Sequence, residues 1–404
     1  NQENYDILLT LGNHLPSREL YFRPSISWPK VCSNQTTFRY TPKGYVFDCA
    51  SMSLFFDKEC LYHYFLAYLN SKIVSSFLKV LSPTLNYEVG HISKLPVYII
   101  ERYKIIIENI AKQNISISKL DWDSHETSWD FQHNELISLI NFTEQGLATE
   151  SLTALFSNTT HSNVVTQQAD ESLRAVKLQD LMERYRQKWN ILFMQLHANE
   201  EELNRQFIDI YDLQDELTPD VPLNEITILQ QGEVNIEGNA LKWHDEVILK
   251  QLLSYAVGVW MGRYRLDKPG LHIAHPNPTA EELVSYTYNG HIIEIDDDGI
   301  FPLMAADSGF TDNACLRTAQ FVSDVFGAEY QVENLNYIEH TLGKTIEQYW
   351  QKDFWKMAAR LCWLTSRRKS WKLCVKNTVP WDMRHMKYVE ISQTGRMWTG
   401  YLQR

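Results

Sequence analysis

His272 and His275 stand three residues apart in "HIAHPNP" (His272–Pro278), a spacing at which two imidazoles could share a metal ion. No Cys stands beside them and the sequence shows no carboxylate partner, so the segment reads as a proline-bounded loop. "EIDDDGI" (Glu294–Ile300) imitates the opening of a calcium loop. Counted from Asp296, the sixth position is Phe301, where the sharp turn needs Gly. The twelfth is Asp307, where a bidentate Glu is usual. The segment reads as a solvated acidic turn. No GxGxxG, Walker loop, GxSxG or HExxH occurs, so no enzyme template is met.

Two basic patches carry more chemistry. In the first hundred residues Trp28, Lys30, Arg39, Tyr40, Lys43, Lys72, Lys79 and Lys94 are interleaved with aromatics. Such cations could hold phosphates while loop residues reach base edges; they could equally be solvated charges on a small mixed domain. The second patch is "LTSRRKSWKLCVKN" (Leu364–Asn377), with Arg367, Arg368, Lys369, Lys372 and Lys376 around Trp371. It could clamp nucleic acid or pair with the acidic middle of the same chain.

That middle is the main feature of the charge distribution. The net charge of -12 over 404 residues divides into +2 for residues 1–100, -23 for 101–343 and +9 for 344–404. Blocks of one sign act locally, because charges are screened over about 8 Å in physiological salt. Hydrophobic content of 44% is that of a protein with a real core. No run approaches the roughly 20 apolar residues that span a bilayer, so no membrane partner is expected. The six Cys lack CxxC spacing, which fits a reducing cytoplasm. "NQENYDILLT" carries no initiator Met and no signal pattern, and reads as part of a longer chain.

The elements that must position these residues are of mixed type. Residues 20–57 read as short strands punctuated by Pro24, Pro29 and the turn Thr41–Gly44. Over 59–82, Leu61, Phe65, Leu69, Ile73, Phe77 and Val80 recur at helical spacing, and Pro83 ends the helix. A strand is expected at "KLPVYII", a short helix at 102–113, and a polar Trp-bearing connector at 116–135. Residues 144–170 read as a loop, and a long helix runs from Glu171 to about Tyr211. Further helices are expected near 245–262, 279–286, 312–326, 331–342 and 344–361. The fold class is α+β: a small strand-and-helix domain, then a mainly helical region and a short basic part with strands.

The order W-x-K, F-x-Y-x-P-x-G-Y-x-F-D, L-N-S-K and K-L-P (Trp28–Lys30, Phe38–Asp48, Leu69–Lys72, Lys94–Pro96) resembles the specificity region of adenine-specific DNA methyltransferases, including TaqI-like and type IIG enzymes. "DWDSHETSWDF" (Asp121–Phe131) and "EELNRQFIDIYDLQDELTPDVPLNEITI" (Glu201–Ile228) resemble more narrowly the PglX family, the large methyltransferases of BREX phage defence. So do "LLSYAVGVWMGRYRLDKPGL" (Leu252–Leu271), "VFGAEYQVENLNYI" (Val325–Ile338) and "FWKMAARLCWLTSRRKSWKL" (Phe354–Leu373).

The resemblance implies a DNA target-recognition domain over 1–100, incomplete at its N-terminus, and a connector with a mobile loop over 101–170. It implies an acidic helical domain over 171–343 and a basic segment over 344–404. Its catalytic half, with an S-adenosylmethionine loop and an Asn-Pro-Pro-Tyr motif, lies upstream in the family and is not matched here. "HPNPTAE" has Asn-Pro, but Thr279 stands where an aromatic should stack on the base. No cofactor is therefore expected in this chain, and no catalytic residue. The partners implied are double-stranded DNA and the methyltransferase half. The helix ending at Ser82 would hold the loop Pro83–Gly90, with Thr84 and Asn86 offering hydrogen-bond groups and Gly90 a sharp turn. The alternative function is a module that docks other BREX subunits or a phage anti-defence protein.

Overall fold

The computed structural model describes residues 6–7, 10, 17–32, 36–47, 50–82, 84–141, 175–275, 278–297, 301–354 and 356, with the backbone of 371–373, 387–391 and 397–401. The fold is α+β, as the sequence indicates. Residues 1–117 and 194–226 form one compact unit; 118–193 and 227–404 form a second. The chain crosses between them within the helices Glu101–Asp123 and Leu178–Tyr211 and again after Ile226.

In unit 1 a three-stranded antiparallel sheet has β1 (Ser25–Pro29) between β2 (Arg39–Thr41) and β3 (Ser51–Leu54). Strand geometry sends alternate side chains to opposite faces, so Ile26 and Trp28 enter the core while Ser27 faces away. The core is completed by α1 (Glu59–Asn70), α2 (Lys72–Leu81) and buried residues such as Ile107, Leu203 and Phe207. One helix was expected over 59–82; the chain instead breaks at Ser71, whose backbone is extended. The Asn70 amide accepts from Phe38 N at 3.0 Å and donates to Phe38 O at 2.9 Å. Lys72 N donates to Asn204 Oδ1 at 2.9 Å. Side-chain partners thus replace the helical ladder at this joint.

α2 ends at Leu81, and α3 (Val89–Ile92) follows with Gly90 inside it rather than at a sharp turn. No strand forms at 94–100. The Pro96 carbonyl accepts from Tyr68 Oη and, at 2.6 Å, from Tyr211 Oη; the Tyr98 carbonyl accepts from Tyr64 Oη at 2.7 Å. Hydroxyls satisfy this segment where a ladder would have.

Two helices are longer or shorter than the sequence suggests. α4 is Glu101–Asp123, extending through the first part of the expected connector, and the long helix, α6, is Leu178–Tyr211. Between them α5 is Glu135–Ser138. Unit 2 then contains the hairpin β4 (Val234–Glu237) and β5 (Ala240–Trp243), and α7 (Asp245–Trp260), which is buried over most of its C-terminal half. Where a helix was expected at 279–286 the chain turns into the hairpin β6 (Tyr286–Tyr288) and β7 (His291–Ile293). Asn289 and Gly290, both at positive φ, form its turn. α8 (Ala314–Phe326), α9 (Gln331–Leu342), α10 (Ile346–Lys352) and a sheet ordered β10 (Met397–Tyr401), β9 (Lys387–Ile391), β8 (Trp371–Leu373) complete it. Among the described residues no helix is long and apolar enough to cross a membrane.

The turn at Asp121–Phe131 is organised from inside. His125 Nδ1 bonds the Asp121 carbonyl at 2.7 Å and so carries a hydrogen; Nε2 meets Glu233 Oε1 at 2.6 Å. Gln251 Nε2 donates to the same oxygen at 2.7 Å, and Asp121 Oδ1 accepts from Leu229 N at 2.9 Å. Burial alone would lower the His125 pKa, but the hydrogen bond and charge of Glu233 outweigh it and the net shift is upward. Burial likewise opposes ionisation of Glu233, yet contact with His125 holds its carboxyl below the usual range. Burial pushes Asp121 up to about 6, against the pull of Leu229 N–H and His125. His125 and Glu233 are therefore a charged pair with almost no exposure.

Three outcomes are expected. Gly262 has φ +68°, and a Cβ there would lie 2.7 Å from Ile273 Cδ1. Gly262→Ala should therefore cost about 2 kcal/mol, read from thermal melts. His125→Ala leaves the Glu233 charge buried and alone, and should cost about 3–5 kcal/mol in urea denaturation. The third outcome concerns pH. A raised His125 pKa stabilises fully below its unfolded value and loses that effect as pH rises through the folded value; a lowered Glu233 stabilises above its unfolded value and loses it as pH falls through the folded one. The stability difference between wild type and Glu233→Gln should thus be largest between the two unfolded values, about 4.3 and about 6.5, and shrink outside them toward the folded values. A flat difference from about pH 4 to 9 would contradict the charged pair.

Candidate nucleic-acid interface

The two faces of the unit 1 sheet sort the first basic patch. Arg39 lies opposite Ser27, and Ser53 faces Ser27 from the other side. Ser27 Oγ and Thr41 Oγ1 are 3.0 Å apart, so these polar side chains share the face away from the core. Trp28 and Tyr40 belong to the opposite face. Trp28 is only 2% exposed and packs 5.4 Å from the Phe38 ring. Tyr40 stacks on His63 and meets Tyr62 edge-on. Burial raises the Tyr40 pKa, with Glu59 and Tyr62 adding to the effect, so the phenol stays neutral. The Trp28 ring is thus enclosed, while Tyr40 is half-buried.

Beyond Pro29 the chain continues as a narrow antiparallel pairing with the loop after α2. Val31 bridges Asn86; Cys32 N donates to Leu85 O at 2.9 Å and Tyr87 N to Lys30 O at 2.8 Å. The Trp28 indole Nε1 donates to the Tyr87 carbonyl at 2.9 Å, and Ser82 Oγ donates to the Asn86 carbonyl at 2.6 Å. Thr84 and Asn86 are both exposed. Thr84 Oγ1 accepts weakly from Asn86 N, at 3.4 Å, whereas the Asn86 amide bonds no partner among the described residues.

The cations differ in how far they are already engaged. Lys30 lies 3.2 Å from Glu88 in a half-exposed pair. Lys72 Nζ donates to the Asp220 carbonyl and its backbone N to Asn204, so it ties α2 to the "TPDVPL" segment. Arg39, Lys43, Lys79 and Lys94 are exposed and form no ion pair among the described residues. Arg367, Arg368 and Lys369 lie outside the described residues, and Lys372 is placed only as backbone in β8. A depression of about 340 Å³ is lined by Arg205, Asp209 and Gln214: Arg205 pairs with Glu202, and the Asp209 carboxylate accepts from Tyr103 and Gln214.

The remaining motifs of the sequence are absorbed by the fold. In "HIAHPNP", His275 does have a carboxylate partner that the sequence did not suggest: Nε2 is 2.9 Å from Glu282 Oε1. Glu282 also accepts from Thr279 N at 2.8 Å, and hydrogen bonds from Thr279 and His275 hold its carboxyl down at about 2. The turn satisfies itself, and Thr279 is not free to line a base pocket. Asp296, expected in a solvated turn, is instead nearly buried and paired with Arg317. Among the described residues no group of three or more His, Cys, Asp or Glu is placed to hold a metal ion.

No protein-family model matches the chain. It is 31% identical over 354 residues to an adenine-specific methyltransferase PglX of Lacticaseibacillus casei (strain Zhang), a match covering 86% of this chain and 25% of that protein. It is 30% identical over 377 residues to an adenine-specific methyltransferase BrxX of Escherichia coli O9:H4 (strain HS), covering 88% of this chain and 28% of that protein. The chain thus spans about a quarter of the length of these curated relatives. Over most of its own length it is a relative of the adenine-specific methyltransferases PglX and BrxX, the family whose motifs its sequence carries.

Proposed function

We propose that unit 1 is the DNA target-recognition part of a BREX adenine-specific DNA methyltransferase, and that the chain orients duplex DNA for a catalytic half outside it. The carrying observation is the contrast on one small unit: among the described residues Arg39 and Lys43 are exposed without ion-pair partners, and an anchored loop offers an Asn86 amide that bonds none of them. Cations of that kind suit phosphates, while an amide suits a base edge. Methylating an adenine requires taking it out of the stack, which costs a few kcal/mol. A separate unit that grips neighbouring base pairs keeps the duplex in register meanwhile. S-adenosylmethionine would be bound by that other half; Thr279, which stands where the motif wants an aromatic, is already engaged by Glu282.

A second reading rests on Trp122, at the C-terminal end of α4, and Trp129, in the turn that follows; they are 55% and 60% exposed and flank the His125–Glu233 contact. Exposed tryptophans so placed suit docking of another BREX subunit or a phage-encoded protein.

The test is fluorescence anisotropy with duplex DNA over a range of salt. Affinity should fall linearly on a log–log plot, with a slope near 0.9 per phosphate contact. Arg39→Glu and Lys43→Glu should each weaken binding and reduce that slope by about 1. If both leave affinity unchanged while charge reversal at Arg367, Arg368 and Lys369 abolishes it, the surface lies elsewhere. Binding that ignores salt and DNA altogether, with capture of BREX subunits lost in Trp122→Ala, would favour the docking reading.

A further inference from the structure

Three consecutive carbonyls of the loop after α2 are held by three different parts of unit 1. Leu85 O accepts from Cys32 N at 2.9 Å. Asn86 O accepts from Ser82 Oγ at 2.6 Å, and Tyr87 O from Trp28 Nε1 at 2.9 Å. The two side-chain donors are themselves fixed. Ser82 is 4% exposed and its own N–H closes α2 on Leu78 O at 2.9 Å, so its hydroxyl is referenced to the end of a helix. Trp28 is locked in the core against Phe38. The backbone of residue 86 is therefore set from both a helix and a sheet, while its side-chain amide is left with nothing to bind among the described residues. An exposed short loop gains little stability from so many anchors. It gains position, and position is what readout of a base edge demands.

We propose that Ser82 and Trp28 are positioning residues for sequence readout, holding Asn86 so that its amide meets one base pair. A carboxamide carries a donor and an acceptor side by side, the pattern that matches N6 and N7 of adenine in the major groove. Val31 and Leu85, 61% and 56% exposed on either side of Asn86, supply apolar contact of the kind a thymine methyl accepts. This inference rests on the DNA-recognition reading of unit 1.

The experiment incubates the 404-residue chain with a pool of duplexes carrying a randomised core and sequences the retained fraction. Wild type should enrich a motif, and Asn86→Ala should lose preference for adenine at a single position by about tenfold. Ser82→Ala and Trp28→Phe should blur that same position while total DNA retained stays as in wild type, because phosphate contacts are untouched. Ser82→Thr, which restores the hydroxyl, should restore the preference. Trp28→Phe is scored only if its melting curve shows it folded; Ser82→Ala decides otherwise. If Ser82→Ala keeps full preference at the position that Asn86→Ala loses, or weakens every sequence alike, positioning is refuted and the DNA-recognition reading survives. If wild type retains no duplex, that reading fails and the positioning role falls with it.

Discussion

A main-chain oxygen removed from water needs a donor, and unit 1 meets that requirement largely with side chains. Its sheet has only three short strands, too few to satisfy the segments that cross it. Asn70 bonds both backbone groups of Phe38, Tyr62 bonds Pro24 O and Phe56 N, and Tyr64, Tyr68 and Tyr211 serve Tyr98 and Pro96. Each of the four tyrosines has an aromatic body packed in or against the core and a hydroxyl at a loop. The aromatic richness of the first hundred residues is thus a device for fastening irregular backbone, and the same device fastens the loop at Asn86.

Unit 2 solves its corresponding problem with charge. Its acidic character is not uniformly solvated: Glu233 and Asp296 are buried and each has a cationic or ionisable partner, His125 and Arg317. Replacing such pairs by apolar side chains often leaves stability unchanged or improves it, so a buried pair is poor evidence of selection for stability alone. What the pair at His125 does achieve is a fixed conformation for a polar turn that has no strand or helix of its own.

How much of this could be read beforehand depended on sequence separation. The apolar stripe of 59–82 announces helix, but the break at Ser71 is held by the bond from Lys72 N to Asn204, 132 residues beyond Lys72, and no local pattern reveals it. The same applies to His125 and Glu233, 108 residues apart. Other features were legible and passed over. Alternation from Ile26 already assigns Trp28 to the core side, and Asn289-Gly290 between β-prone residues is a strong hairpin signal. Interleaved cations and aromatics suggested one surface, whereas strand geometry divides them: the cation Arg39 goes outward, the rings inward. Composition cannot make that division because it ignores the two-residue period.

The loop anchors at Leu85, Asn86 and Tyr87 all land on main-chain oxygens. Such bonds are indifferent to the identity of the residue that supplies the oxygen. The side chain at position 86 is therefore free to be exchanged without disturbing the frame that presents it. A loop fastened this way can change the groups it presents by point substitution while its backbone stays in place.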